Sequence, residues 1–376
     1  MTIYNSIGAL CKIKDIVKLH NLNRILIVTG KKSFRESGAE EIINDCLNQF
    51  EITYFNDFEV NPRLIDAEKG IDLAIKNNIE GIICIGGGSV IDMGKLIKAL
   101  YINPNDNVNI IQGFSEVVDS NIPIIAVPTT SGSGSESTHF AVVYIGNKKY
   151  SLANQCLLPN DIILDGNLTL SATKYQKACS ALDAMSQSIE SAWAVGSNLE
   201  SQALSFKALE LCIKNSSEFV NSSKSTLVAQ EMIEAANLAG QAINITKTTA
   251  AHAWSYGFTK KYNIPHGHAV WITLPKIFEI HASCNEDSIG DPRGLSHLKY
   301  ITKKLMDILN ISEIKDIEVY FDNLLSIMDI KADIQNDLHI PKNERLELST
   351  NVNQERMGNN PVVFNHSHIN EIFKLS

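Results

Sequence analysis

The chain has 376 residues, 44% of them hydrophobic and 20% charged, and a formal net charge of −9. That length suits two domains of a globular protein. No apolar run is long enough to cross a bilayer, and an acidic balance with scattered lysine pairs excludes a basic nucleic-acid stripe.

The opening MTIYNSIGALCKIKDIVK lacks the charged start, apolar core and cleavage site of a secretory signal, so the expected location is the cytoplasm. RILIVTG (24–30) then reads as a strand, ESGAEEIINDCLNQF as a helix, and EITYFND (51–57) as a strand. RLIDAEKGIDLAIKNN has helical periodicity, GIICIGGGS (81–89) is a buried-strand pattern, VIDMGKLIKALY is helical, and NIPIIAVPTT (121–130) is strand-like. This alternation predicts a mostly parallel sheet covered by helices. AVVYIGNKKYSLA reads as a hairpin turning at Gly146-Asn147, and DIILDG (161–166) closes the α/β region. From about residue 168 the strand signals nearly vanish and helical runs follow one another to the end. The seven cysteines form no CxxC pair, which argues against a disulfide framework and against a zinc ribbon.

CIGGGSVIDMGK (84–95) runs a buried strand through Gly86, Gly87, Gly88 and Ser89 into a helix carrying Asp92. Glycines let the backbone turn tightly and approach a ligand, and the helix start offers free N–H groups to a phosphate. The stretch is not GxGxxG, and a tight strand–helix turn without a ligand is the alternative. PTTSGSGSES (128–137), with Thr129, Thr130, Ser133 and Ser135, follows the next strand. Ligands of parallel sheets sit at such carboxyl ends, so the two loops together argue for a nucleotide cofactor, against a flexible linker for the second.

In LDAMSQSIE (182–190), Leu182, Met185, Ile189 and Trp193 form one helical stripe, and Asp183, Gln187 and Glu190 form another. Alone, the polar stripe reads as the solvated face of an amphipathic helix. In TTAAHAWSYGFTKKYNIPHGHAV (248–270), His252 lies in a helical stretch. His266 follows Pro265, just after Asn263, a candidate cap for the next helix. Two histidines beside a helix start, with a carboxylate helix elsewhere, suggest a metal, although a lone histidine is more often a core or surface residue.

In order and separation, GGGSVIDMGK, PTTSGSGSES, LDAMSQSIE and HAWSYGFTKKYNIPHGH resemble the iron-containing (group III) alcohol dehydrogenase family over nearly the whole chain. The resemblance implies a dinucleotide-binding α/β domain over 1–167, an all-α metal- and substrate-binding domain over 168–376, a metal in the cleft between them, and a homodimer. It implies a divalent metal, Fe or Zn, held at Asp183, His252 and His266. Gln187 stands where the family has a histidine; its amide oxygen is a harder, weaker ligand for such ions. Tyr256 likewise stands where many members have a histidine near the nicotinamide. The family places Lys149, on the hairpin, at the cofactor. NAD-preferring members often carry an aspartate at the end of the first strand. Here that place is Gly30, and with Lys31, Lys32 and Ser33 it favours NADP(H) over NAD(H).

The finer pattern, including INITKTTAAHA, IPHGHAV and NVNQERMGNNP, resembles the branch that reduces phosphonoacetaldehyde to 2-hydroxyethylphosphonate. An anionic substrate fits Lys247, Thr248, Thr249 and His268 as a phosphonate receiver, if that segment lines the site. The expected partner is thus a small aldehyde or alcohol, turned over at His252, His266, Lys247 and Tyr256. Same-fold alternatives are a dehydrogenase of a sugar-acid alcohol or simple aldehyde, a lyase of the dehydroquinate synthase kind, and a metal-depleted nucleotide-binding protein.

Overall fold

The computed structural model describes residues 1–222 and 225–375. It forms two compact units: Met1–Ala172 with Ser223–Asn237, and Thr173–Ser222 with Leu238–Ser376. The first unit contains the strands β1 (Thr2–Asn5), β2 (Arg24–Thr29), β3 (Glu51–Phe55), β4 (Gly81–Gly86), β5 (Ile124–Pro128), β6 (Phe140–Ile145), β7 (Lys148–Ala153) and β8 (Asp161–Leu164). Six make a parallel sheet in the order β1-β8-β5-β4-β2-β3, and β6 and β7 form the antiparallel hairpin expected around Gly146-Asn147.

Side chains alternate along each strand, and here both faces are covered. Leu26, Val28, Ile82, Cys84, Ile124 and Ala126 enter one core with the helices Leu64–Lys76 and Gly88–Leu100. Ile25, Ile27, Ile83, Ile85, Ile125 and Val127 enter the opposite core with Ile13, Ile16, Val17 and Ile43. Burial on both faces is why these strands read as unbroken apolar runs. Gly94 lets the helix Gly88–Leu100 lie close on β4: a Cβ there would stand 2.1 Å from Cys84 Sγ.

Two features of this unit differ from expectation. β1 is an edge strand, paired from Thr2↔Asp161 to Asn5↔Leu164, and its four mostly exposed residues carry no apolar run to announce it. A single boundary at 167/168 also misses the return of the chain through the start of the helix Thr226–Thr246. Gln230 accounts for that return. It accepts from Gly166 N at 2.7 Å and donates to Leu164 O at 3.0 Å and Asn5 Oδ1 at 2.6 Å. Asn237 adds bonds to Ser137 Oγ at 2.6 Å and Glu136 Oε1 at 3.2 Å.

The second unit is helical. Its longest helices are Lys174–Trp193, Leu199–Asn221 and the remainder of Thr226–Thr246, followed by Ala250–Tyr262, His266–Trp271, Leu274–Ser283, Leu295–Leu309 and shorter segments. Thr173 starts the first with a capping box closed by Gln176. Asn263, expected to cap the helix that begins at His266, instead ends the preceding one. It takes the left-handed conformation, φ 55°, that asparagine tolerates at helix C-termini, and Pro265 precedes His266. Trp193, Trp254 and Trp271 are fully buried in this unit. All seven cysteines are free thiols, and among the described residues no helix is long and apolar enough to cross a membrane.

One titratable group is built into this core. His281 is fully buried, its ring 4.5 Å from that of Trp193 and stacked on Phe364. Burial, with a smaller push from His368, lowers it from 6.5 to about 3. The unfolded chain therefore takes up a proton, between pH 6.5 and about 3, that the folded chain refuses. The stabilisation is fully present above pH 6.5 and is lost as pH falls, by up to about 1.4 kcal/mol per pH unit. His281→Phe should flatten the acid limb of the unfolding free energy by one proton's share, read by denaturant titration at pH 6, 5 and 4. An unchanged slope contradicts this.

Candidate metal centre and nucleotide-binding loops

In the helical unit, Asp183, Gln187 and Glu190 lie four and seven positions apart on one face of the helix Lys174–Trp193. That face is not solvated: Asp183 is 7% exposed, Gln187 3% and Glu190 0%. His252 is the third residue of the helix Ala250–Tyr262, and His266 opens the short helix His266–Trp271. Gly267 makes the approach possible. A Cβ there would stand 2.0 Å from Cys179 O and 2.9 Å from Asp183 Cβ, so only glycine lets the IPHGH turn settle on the carboxylate helix.

One ligand atom from each of Asp183, His252 and His266 lies within 4.8 Å of the others. His252 Nε2 is 3.6 Å from Asp183 Oδ1, and both atoms are buried without a hydrogen-bond partner. At 3.6 Å the two atoms face each other across a gap that a divalent cation fills in place of the imidazole proton, so the residues present fit such a cation. The Gln187 amide hydrogen-bonds Asp183. A carboxylate only accepts, so the amide NH2 is the donor and Oε1 is the atom suited to ligation.

Each histidine is held from behind. The Glu190 carboxylate contacts His252 Nδ1 and also accepts from Thr249 Oγ1 at 2.6 Å, Ala251 N at 2.9 Å and His252 N at 3.4 Å. It thereby satisfies the first amides of that helix and fixes the imidazole with Nε2 as its ligand atom. Ser255 Oγ donates to His252 O at 2.8 Å and so meets His266 Nδ1, 3.2 Å away, as an acceptor. Burial alone would lower His252, but the Glu190 and Asp183 carboxylates outweigh it and push it up to about 9. Burial likewise works against the Asp183 carboxylate, yet His252, His266 and Gln187 hold it below its ordinary value.

Other expected residues are committed elsewhere. Tyr256 lies flat on His266, ring centroids 5.6 Å apart at 9°, and buttresses that ring. Lys247 is left-handed, φ 61°, with its ammonium paired to Glu355. Thr249 serves Glu190 and accepts from Trp193 Nε1 at 3.0 Å. His268 uses both ring nitrogens, on Tyr175 Oη at 2.9 Å and Lys331 O at 2.8 Å. These contacts take Lys247, Thr249 and His268 away from the expected phosphonate receiver and leave Thr248, whose Oγ1 accepts from Arg356 at 2.8 Å.

In the α/β unit, Gly86 pairs with Pro128 across β4 and β5, so the two glycine-rich loops leave neighbouring strands at the same edge. They also touch: a Cβ at Gly88 would stand 2.7 Å from Ser133 Oγ, and one at Gly87 3.4 Å from Thr130. Gly87 precedes the helix Gly88–Leu100 in extended conformation, and the first amides of such a helix start are suited to a phosphate. Ser89 Oγ accepts from Asn61 N at 3.2 Å, and Thr129 N donates to Gly86 O at 3.0 Å.

Asp92 and Ser135, expected at the cofactor, are instead bonded to each other at 2.5 Å, and Asp92 also accepts from Val142 N at 3.0 Å. Beside them the fully buried Lys95 reaches Ser135 O, Thr138 O and Phe140 O at 2.6, 2.7 and 3.0 Å. Together they hold the second loop in shape. Lys95 follows Gly94 in the DMGK tetrad, where its sequence position gives no sign of burial. Gly30 follows β2 at the same sheet edge, and a Cβ on it would stand 2.3 Å from Ser33 Oγ. Lys31 pairs with Glu59 at 3.2 Å on the surface. Lys149 sits on the hairpin, where its charge acts on Asp92.

Residues 2–166 match the iron-containing alcohol dehydrogenase family, and residues 177–376 match the C-terminal region of the Fe-containing alcohol dehydrogenase family. Aldehyde-alcohol dehydrogenase 2 of Entamoeba histolytica is 31% identical over 70% of this chain, which spans 32% of that longer protein. Phosphonoacetaldehyde reductase of Streptomyces viridochromogenes is 28% identical over 59% of this chain and 58% of its own. The structure of sulfoacetaldehyde reductase from Bifidobacterium kashiwanohense in complex with NAD+ aligns with a TM-score of 0.88 at 25% identity, covering 100% of this chain and 96% of its own.

Glu190 yields a direct test. Loss of a carboxylate behind a metal-binding histidine weakens binding by roughly 10- to 100-fold. Glu190→Gln should therefore lower the affinity for Zn²⁺ or Fe²⁺ by about tenfold, and Glu190→Ala by about 100-fold, in chelator-competition titrations. Affinity unchanged in both folded variants contradicts the assignment.

Proposed function

Because the chain belongs to the iron-containing alcohol dehydrogenase family, we propose that it reduces phosphonoacetaldehyde to 2-hydroxyethylphosphonate with a nicotinamide cofactor, NADP(H) in preference to NAD(H). The observation that carries the chemistry is the convergence of the buried Asp183 and His252 with the half-buried His266, with Gln187 beside them. A divalent cation held by these four supplies a Lewis acid to the aldehyde carbonyl, and a bound reduced nicotinamide supplies the hydride.

The chain's own residues do the remaining work. Asp183 brings the negative charge, and Glu190 and Ser255 hold the two imidazoles so that neither ring must reorganise. Asp183, Gln187 and His252 are buried, and the half-buried His266 marks the side open to solvent. Gly86, Gly87, Gly88 and Ser89 give the cofactor's phosphates a helix start free of side chains at the turn, and Thr129, Thr130 and Ser133 line the adjoining loop. For the 2′-phosphate, the absence of a carboxylate at Gly30 supports NADP(H), as do Lys32 and Ser33; Lys31 supports it less, since Glu59 already offsets its charge.

The substrate class is supported by two relatives named as reductases of two-carbon aldehydes with an anionic tail, one phosphonate and one sulfonate. A homodimer is part of the same reading.

The test is an activity grid of NADPH and NADH against phosphonoacetaldehyde, sulfoacetaldehyde, acetaldehyde and propionaldehyde, with Fe²⁺, Zn²⁺ or EDTA. We expect the highest kcat/KM for phosphonoacetaldehyde with NADPH, and loss of activity in EDTA that metal restores. Simple aldehydes outperforming phosphonoacetaldehyde overturn the substrate. Activity indifferent to chelators, to Asp183→Ala and to His266→Ala overturns the metal mechanism.

A further inference from the structure

Two guanidiniums have no carboxylate within ion-pair distance among the described residues, the buried Arg345 and the half-buried Arg356, and Arg356 rests on Thr248 in the loop that leads to His252. The chain has six arginines. Arg24, Arg35, Arg63 and Arg293 are each paired with a carboxylate, namely Glu80, Glu40, Asp66 and Asp291. Arg345 is buried on Gln335. Arg356, half-buried, has no carboxylate within ion-pair distance among the described residues; its hydrogen bond goes to a neutral hydroxyl, Thr248 Oγ1, at 2.8 Å. Its neighbour Glu355 is already neutralised by Lys247.

This pair is fastened to the metal group. Asn359 Nδ2 donates to Thr246 O at 2.7 Å and Thr248 O at 3.0 Å, clamping the loop from the same segment that carries Arg356. The next residue, Thr249, binds Glu190, which holds His252. Thr248 is itself buried, and in accepting from Arg356 it keeps its own O–H to donate. A guanidinium with donors to spare, beside a fixed hydroxyl donor, matches the oxygens of a tetrahedral anion.

Resting on the function proposed above, we propose that Arg356 and Thr248 form the subsite that receives the anionic tail of the aldehyde, and that Arg356 sets the preference for charged over neutral aldehydes. The tail's charge then gives Arg356 the direct ion pair that Glu355, paired with Lys247, does not make with it.

The experiment compares kcat/KM for phosphonoacetaldehyde and for propionaldehyde in the wild type, Arg356→Gln, Arg356→Lys and the remote surface control Arg35→Gln. Removing one charge-assisted, bidentate contact should lower the phosphonoacetaldehyde-to-propionaldehyde ratio by roughly 100-fold in Arg356→Gln, mainly through KM, and by less in Arg356→Lys. The control should keep the wild-type ratio. Phosphonoacetate, used as a competitive inhibitor, should lose affinity in parallel; this second readout serves with Arg356→Lys if the glutamine variant does not fold. A wild type that does not favour the anionic aldehyde defeats the functional reading itself. A wild type that favours it, with the ratio and phosphonoacetate affinity unchanged in the Arg356 variants, defeats the subsite alone.

Discussion

The helical unit is arranged around one buried carboxylate. Glu190, inaccessible to solvent, would be expensive to bury alone, and its cost is offset only because four donors converge on it. Two of them are backbone amides at the start of the helix Ala250–Tyr262, where a negative charge also meets the positive end of the helix dipole. A third, Thr249, ties the carboxylate to Trp193, the aromatic that closes the same helix as Glu190. The fourth is His252 Nδ1. One acidic side chain therefore joins two helices, caps one of them and aims an imidazole.

That constraint explains the polar stripe Asp183, Gln187, Glu190. Its first residue offers an oxygen to the metal group and its last orients the histidine opposite. The middle residue, Gln187, adds an amide where the resemblance implied an imidazole. The substitution leaves the formal charge of the group as it was, since amide and neutral imidazole are both uncharged. What changes is ligand softness, and with it the expected affinity for iron or zinc.

Much of the α/β unit was legible because its strands are buried on both faces, which writes them as apolar runs bounded by glycine and proline. β1 was not, because an exposed four-residue edge strand has no such signature. The return through Gln230 and Asn237 was invisible for another reason: it rests on amide hydrogen bonds between residues far apart in sequence. In the site, Asp183, His252 and His266 could be named from motif order, and all three come together. Glu190 lay on the quoted stripe, but periodicity cannot separate a buried polar face from a wet one. Gly267 and Ser255 act through close packing and a second partner, which spacing does not encode. Lys247 looked available for an anion because sequence showed its charge and not Glu355, more than a hundred residues away, which takes it up.

The central claim is that the orphaned pair, Asp183 Oδ1 and His252 Nε2, exists to hold a cation. Crystals of protein loaded with Zn²⁺ or Fe²⁺, measured on either side of the metal's absorption edge, test it most directly. A single strong anomalous peak is expected at about 2.0–2.2 Å from both atoms, with His266 and Gln187 Oε1 completing the ligand set. No peak there, or a peak elsewhere while these atoms keep their present spacing, would contradict it.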